Sequence, residues 1–126
     1  IDLNRSLYAL TGTQPATALD GEDLIDTLLG KQPTGRTHPI FFRRPPDRPG
    51  FGHGLQEDNP DLAAIDGRWK YLVNYDGSTP QLYDLVNDPG ESANLIAKEP
   101  IIAKRLHELV TTWNRTLPQD AGNPTP

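Results

Sequence analysis

The sequence predicts an α+β fold: a small four-stranded antiparallel sheet packed against a long C-terminal helix, with short N-terminal helices. Three observations predict it. Ile102, Leu106, Leu109, Val110, Trp113 and Leu117 recur at three- and four-residue spacing, which marks a helix with one apolar face. Residues 69–75 alternate, with Trp69, Tyr71, Val73 and Tyr75 on one face and Lys70, Leu72 and Asn74 on the other. Turn pairs, Asp66-Gly67 and Asp76-Gly77, separate short strand-forming runs.

The elements follow in order. Residues 2–12 read as a helix with Leu3, Leu7 and Leu10 on a packing stripe and Gly12 as its stop. After the Asp20-Gly21 turn, a short helix over 22–29 carries Leu24, Ile25, Leu28 and Leu29, and Gly30 suits its C-terminal cap. A strand is expected over 38–43, where Ile40, Phe41 and Phe42 supply β-branched and aromatic character. Leu62 to Ile65 and residues 69–75 form a hairpin about Asp66-Gly67, and Gln81 to Leu85 adds the next strand. Trp69 and Tyr83 are large strand aromatics expected to pack under the final helix. Pro100 fits the first position of that helix, where a missing N–H costs nothing, and Pro118 ends it. Residues 1–118 are thus expected to form the subdomain and 119–126 a flexible tail.

Composition bounds the function. The chain has 126 residues, a formal charge of -5 and no cysteine. That excludes a disulfide framework, a thiolate metal site and a cysteine nucleophile, and argues against a nucleic-acid partner, which demands a basic stripe. No apolar run approaches the roughly 20 residues of a membrane span. The sequence has no methionine and opens on a helical pattern, so it is expected to be part of a longer protein.

No complete catalytic constellation emerges. There is no phosphate-binding G-x-x-x-x-G-K-[ST], and His38, His53 and His107 lack metal-ligand spacing. His38 and His107 read as structural or boundary residues. Ser6 and Ser92 have no nucleophile-elbow context. The suggestive segment is 43–60, rich in proline and glycine and long for a compact domain. Its Arg43, Arg44 and Arg48 offer guanidinium forks that match the oxygens of a sulfate or phosphate, and His53 sits among its glycines. A solvated charged loop is the alternative reading.

Five segments, in order, resemble the C-terminal subdomain of the sulfatase family, the arylsulfatase and N-acetylgalactosamine-6-sulfatase-like enzymes of the alkaline phosphatase superfamily. Residues 2–12, Asp-Leu-Asn-Arg-Ser-Leu-Tyr-Ala-Leu-Thr-Gly, are similar to the family's D-L-x-P-T-L-L-x-L-A-G, with Asn4-Arg5 departing from it. Leu19-Asp20-Gly21-Glu22-Asp23-Leu24 is similar to L-D-G-x-S-L, with Asp23 replacing serine. Residues 64–72 resemble V-R-x-G-x-W-K-Y-L. Residues 82–95, from Leu82-Tyr83-Asp84-Leu85 through Asp88-Pro89-Gly90-Glu91 to Asn94-Leu95, resemble L-Y-D-L-x-x-D-P-G-E-x-x-N-L. The helix ending near Trp113 follows. Physically, Asp88 and Asn94 bracket a proline–glycine turn whose amides their side chains can satisfy.

The resemblance implies a parent enzyme that hydrolyses carbohydrate or aryl sulfates to an alcohol and inorganic sulfate, exported to the periplasm or secreted. It implies a formylglycine nucleophile, made in a C/S-x-P-x-R motif, and a calcium ion, both in an N-terminal catalytic domain that is this segment's partner. Ser78-Thr79-Pro80-Gln81-Leu82 matches the serine and proline of that motif but has Leu82 where arginine is required, so no catalytic residue, cofactor or metal ligand is assigned to this chain. The segment alone is expected to be inactive, to self-associate through its uncovered interface, and to contribute His53, Arg43 and Arg44 to the substrate-pocket rim. The alternatives are a related phosphoester or phosphonate hydrolase and a non-catalytic carbohydrate-binding or interaction module.

Overall fold

The computed structural model describes residues 1–44 and 60–118. The order of elements is α1 (Asp2–Thr11), α2 (Ile25–Leu28), β1 (Ile40–Arg43), β2 (Leu62–Asp66), β3 (Trp69–Val73), β4 (Gln81–Asp84) and α3 (Pro100–Thr116). The expected α+β arrangement is present. The chain divides into two units, Ile1–His38 and Pro39–Pro126.

The first unit is held by polar contacts. Gly12 ends α1 in the left-handed conformation, φ 66°, returning its N–H to Ala9 O. The Ser6 hydroxyl donates to Asp2 O at 2.9 Å and accepts the Leu24 N–H at 2.8 Å. The Asp2 carboxylate accepts the Glu22 N–H at 2.8 Å. Gly21 must be glycine, since a Cβ there would lie 2.3 Å from Ile1 O. The second helix begins at Ile25 rather than at residue 22, because Asp23 Oδ1 accepts the Ile25 N–H and acts as a local stop. The expected packing of the α1 leucine stripe is corrected: Leu3, Leu7 and Leu10 are 59%, 46% and 56% exposed, and Ser6 is the unit's one buried residue.

The second unit contains the sheet, in the order β1-β2-β3-β4, all antiparallel. Cross-strand partners share a face. One face carries Phe41, Ala64, Tyr71 and Leu82 in line, with Leu62 beside Val73. Helix α3 covers this face with Ala103, Leu106 and Val110, closing a core that includes Leu62, Ala64, Tyr71, Val73 and Leu82. Trp113 stacks on Phe41, ring centroids 5.2 Å apart, and extends the core to the edge strand.

Two local expectations shift by one residue. Tyr83 pairs with Lys70 and so lies on the face opposite α3, where its hydroxyl donates to Gln81 Oε1 at 2.9 Å. Leu82, fully buried, occupies the place beneath the helix, while Trp69 does pack against the core. The hairpin turn is Gly67-Arg68, not Asp66-Gly67. Asp66 remains in β2 opposite Trp69 and accepts a bond from Arg105 of α3 at 2.5 Å, while Gly67 takes φ 56°. β3 ends at Val73, so Tyr75 lies beyond the strand.

Candidate functional site

The rim residues proposed from sequence sit at the base of the segment between β1 and β2. Arg43 ends β1, and its two terminal nitrogens donate to Pro118 O at 3.3 and 3.2 Å. Arg44 follows, its N–H bonded to Asp61 O at 2.8 Å and its guanidinium to Asp61 Oδ1 at 3.3 Å. The Tyr75 hydroxyl donates to Arg44 O at 2.6 Å, and Asp61 Oδ2 accepts the Tyr75 N–H at 2.9 Å. These bonds clamp residues 44 and 61 together. His53, Arg48 and the 119–126 tail lie outside the described residues.

The segment with the most specific motif is a hydrogen-bonded scaffold. Asp84, 6% exposed, receives Arg68 in a bidentate pair, with Nε at 2.8 Å, and accepts the Val86 and Asn87 N–H groups at 3.2 and 3.3 Å. The Arg68 hydrogen bond is the chief reason its carboxyl is held below the usual carboxylate range. Asp88 accepts the Ala93 N–H at 2.9 Å and the Ser92 hydroxyl at 3.0 Å, and its carboxyl is lowered for that reason. Glu91, at φ 54°, turns its carboxylate onto Lys70 Nζ at 2.7 Å. Asn94 Oδ1 accepts both the Leu82 N–H of β4 and the Ile96 N–H, at 3.1 and 3.0 Å. Asp88 thus shapes the loop from within, while Glu91 and Asn94 tie it to the sheet, and both Asp88 and Asn94 satisfy backbone amides as expected. The Asp84–Arg68 and Lys70–Glu91 pairs were not legible beforehand, since their partners lie on different elements.

His107 is a boundary residue with a definite partner. The Tyr71 hydroxyl and His107 Nδ1 are 3.0 Å apart, with the rings edge to face. Burial pushes the Tyr71 phenol up. The segment Ser78 to Leu82 is a turn running into β4, with Thr79 at φ 49° and the Ser78 N–H on Asp76 Oδ1 at 2.8 Å. Leu82 belongs to the core.

In the first unit, Glu22 organises residues 36–38. Its carboxylate accepts the Thr37 N–H at 3.0 Å, the Thr37 hydroxyl at 2.9 Å and the His38 N–H at 2.7 Å. The Thr37 backbone bond leads in lowering its carboxyl to about 2. His38 Nδ1 lies 3.2 Å from the same carboxylate. Asp2 pairs with Arg36; burial pushes the Asp2 carboxyl up, but the Glu22 N–H and Arg36 outweigh it and the net shift is downward. Among the described residues no group of three or more His, Asp or Glu side chains is placed to hold a metal ion. None of their helices is long and apolar enough to cross a membrane.

No family model matches the chain. Individual relatives do. It is 32% identical to the N-acetylgalactosamine-6-O-sulfatase of Bacteroides thetaiotaomicron, over 87% of this chain and 22% of that protein. It is 29% identical to arylsulfatase K of Mus musculus, over 86% of this chain and 20% of the relative. The chain therefore spans about a fifth of the length of these curated relatives. A solved Bacteroides thetaiotaomicron sulfatase, described in work on its metabolism of multiple glycosaminoglycans, superposes with a TM-score of 0.64 at 28% identity. That match covers 90% of this chain and 24% of the other. A Bacteroides fragilis structure, named as a sulfatase and 22% identical, shares the fold with a TM-score of 0.57. The motifs, the order of elements and these relatives agree: over most of its length the chain is similar to a segment of sulfatases, consistent with the C-terminal subdomain that its motifs resemble.

Proposed function

We propose that this chain is the C-terminal part of an enzyme that hydrolyses sulfate esters, releasing an alcohol and inorganic sulfate. The observation that carries the reading is 32% identity, across 87% of the chain, to a protein named for removing the 6-O-sulfate of N-acetylgalactosamine. A sulfated carbohydrate is accordingly the substrate class, with aryl sulfates as the second choice. The chain's own role is structural. The polar side chains of residues 84–94 are engaged in internal bonds, and among the described residues no group of three or more His, Asp or Glu side chains is placed to hold a metal ion. The formylglycine and calcium are what the resemblance implies for the N-terminal catalytic domain of the parent. The segment 43–60, with His53, Arg43 and Arg44, is the part proposed to reach the pocket rim. Export to the periplasm or secretion completes the proposal.

The test is hydrolysis by the purified parent protein, offered 6-sulfated N-acetylgalactosamine, an aryl sulfate and the matching phosphate esters. The reading expects sulfate release by the parent and none by residues 1–126 alone. Faster hydrolysis of the phosphate esters would move the parent to the related phosphoester hydrolases. Saturable glycan binding with no hydrolysis by either protein would make this a binding module instead.

A further inference from the structure

We infer that a groove beside α1 binds an unsulfated sugar unit of a glycan. The inference rests on the reading of the parent protein as an enzyme that acts on sulfated carbohydrates. The groove has a volume of about 420 Å³ and is lined by Asn4, Leu7, Tyr8, Thr11, Thr13 and Leu19. That lies within the roughly 300–1,000 Å³ of small-molecule sites. The local sequence builds it. Asn4, Tyr8 and Thr11 follow at spacings of four and three, and so stand on one side of α1. Gly12, in the left-handed conformation, turns the chain back, and the Thr13 N–H bonds Tyr8 O at 3.1 Å. Thr13 is thereby brought beside Thr11, their hydroxyl oxygens 2.8 Å apart.

The chemistry of the lining fits a pyranose. Tyr8 is half-buried and supplies an aromatic wall, with Leu7 and Leu19 as further apolar surface. A pyranose has an apolar C–H face that packs on such a wall, while the hydroxyls around its rim both donate and accept. The groove has groups to meet them. Among the described residues, no hydrogen bond engages the Asn4 amide or the Tyr8 hydroxyl. The Thr11 hydroxyl spends its one proton on Leu7 O at 2.9 Å, so Thr13 is the donor in the bond between the two threonines. The Thr13 oxygen is left as an acceptor.

Charge and polarity decide the occupant. No charged side chain lines the groove, so it has no cation to hold a sulfate or phosphate, and an unsulfated unit is the part of the glycan that fits. A wholly apolar occupant would bury the Asn4 amide and the Tyr8 and Thr13 hydroxyls without partners. The groove also faces another way from the leucine ridge of α1. At 3.6 residues per turn, Asn4, Tyr8 and Thr11 are centred roughly 100° around the helix from Leu3, Leu7 and Leu10, with Leu7 as the shared edge. A surface laid on the ridge need not fill the groove. A glycan held at a second point binds more tightly than one held at a single point, because the second contact is made within the complex.

Calorimetric titration of the full parent protein with an unsulfated tetrasaccharide containing N-acetylgalactosamine tests this. The unaltered protein should bind it, and Tyr8→Ala should weaken binding about tenfold and Asn4→Ala about threefold. Asn4 is exposed and alanine favours the helix, so the second variant separates a lost contact from a lost fold. No binding by the unaltered parent overturns the proposal, as does undiminished binding by both variants. A second readout compares KM for 6-sulfated N-acetylgalactosamine with KM for a tetrasaccharide that carries it. Both variants should raise the tetrasaccharide KM alone and leave kcat unchanged. An equal rise for the monosaccharide overturns the proposal, since a monosaccharide has no unsulfated unit to place in the groove. The titration uses no catalysis. Tyr8-dependent binding by a parent that releases no sulfate would retain the groove and refute the sulfatase reading, and sulfate release with binding indifferent to Tyr8 would do the opposite.

Discussion

Asn94→Ala removes one oxygen that holds two backbone amides, and its cost can be worked from where those amides lie. The Leu82 N–H is partly buried at the edge of the sheet, beside a side chain of the core with no exposed surface. Left without an acceptor, such a donor costs about 1–3 kcal/mol. The Ile96 N–H bond is exposed, so water replaces most of it, at a cost of roughly 0.5 kcal/mol or less. The expected total is about 1–2 kcal/mol, taking the lower part of the buried range because an edge strand can relax. For a unit of this size that lowers the melting temperature by roughly 5–15 °C. Asn94→Asp keeps the acceptor and should cost less than half as much. Thermal and urea unfolding by circular dichroism measure both, with the urea slope unchanged if the folded surface is the same. A melt of Asn94→Ala within 1 °C of the unaltered chain would refute the reasoning. So would an aspartate variant as damaged as the alanine one, since the effect would then not come from the lost acceptor.

Three further outcomes are expected. Leu106→Ala, at a fully buried position on the sheet-facing side of α3, should cost about 2–5 kcal/mol in urea unfolding, while Ile101→Ala, 84% exposed on the same helix, should stay within about 0.5 kcal/mol. Glu22 titrates in the folded chain near 2, below its ordinary value of 4.5, so its contribution is fully present above about 4.5 and is lost as pH falls toward 2. Amide shifts of Thr37 and His38 should therefore follow a titration in that window and lose it in Glu22→Gln. Tyr71 shifts the other way: burial raises its phenol, so its contribution is intact below the unfolded value near 10 and is lost as pH rises through the folded one. Tyr71→Phe should flatten the alkaline loss of stability; an identical pH profile would contradict the assignment.

The strands and α3 were legible because each has one dry face, and a dry face writes its period into the sequence. Trp69, Tyr71 and Val73 alternate as the structure places them, and the buried Leu106 and Val110 fall on the stripe read from spacing, which leaves out Ala103, buried beside them. Register was harder. Tyr83 and Leu82 are both strand-forming, and only the pairing of Leu82 with Tyr71 decides which one lies under the helix. The α1 stripe shows the limit of periodicity: it reports that a helix has an apolar face, not which surface covers it. The bonds between Tyr71 and His107, and between Arg68 and Asp84, join residues far apart in sequence and follow no local rule. Within the candidate site, Arg43 and Arg44 were legible as a basic pair, but their ties to Pro118, Asp61 and Tyr75 depend on how β1 and β2 close the base of the loop.

The central claim is that this chain forms the C-terminal part of a larger sulfatase. Sequencing the parent gene upstream of the Ile1 codon, over roughly 300 residues or two typical domains, tests it most directly. The account predicts a C/S-x-P-x-R motif there, with acidic residues near the new N-terminus. A start codon within a few residues of Ile1, with no such motif, would contradict it.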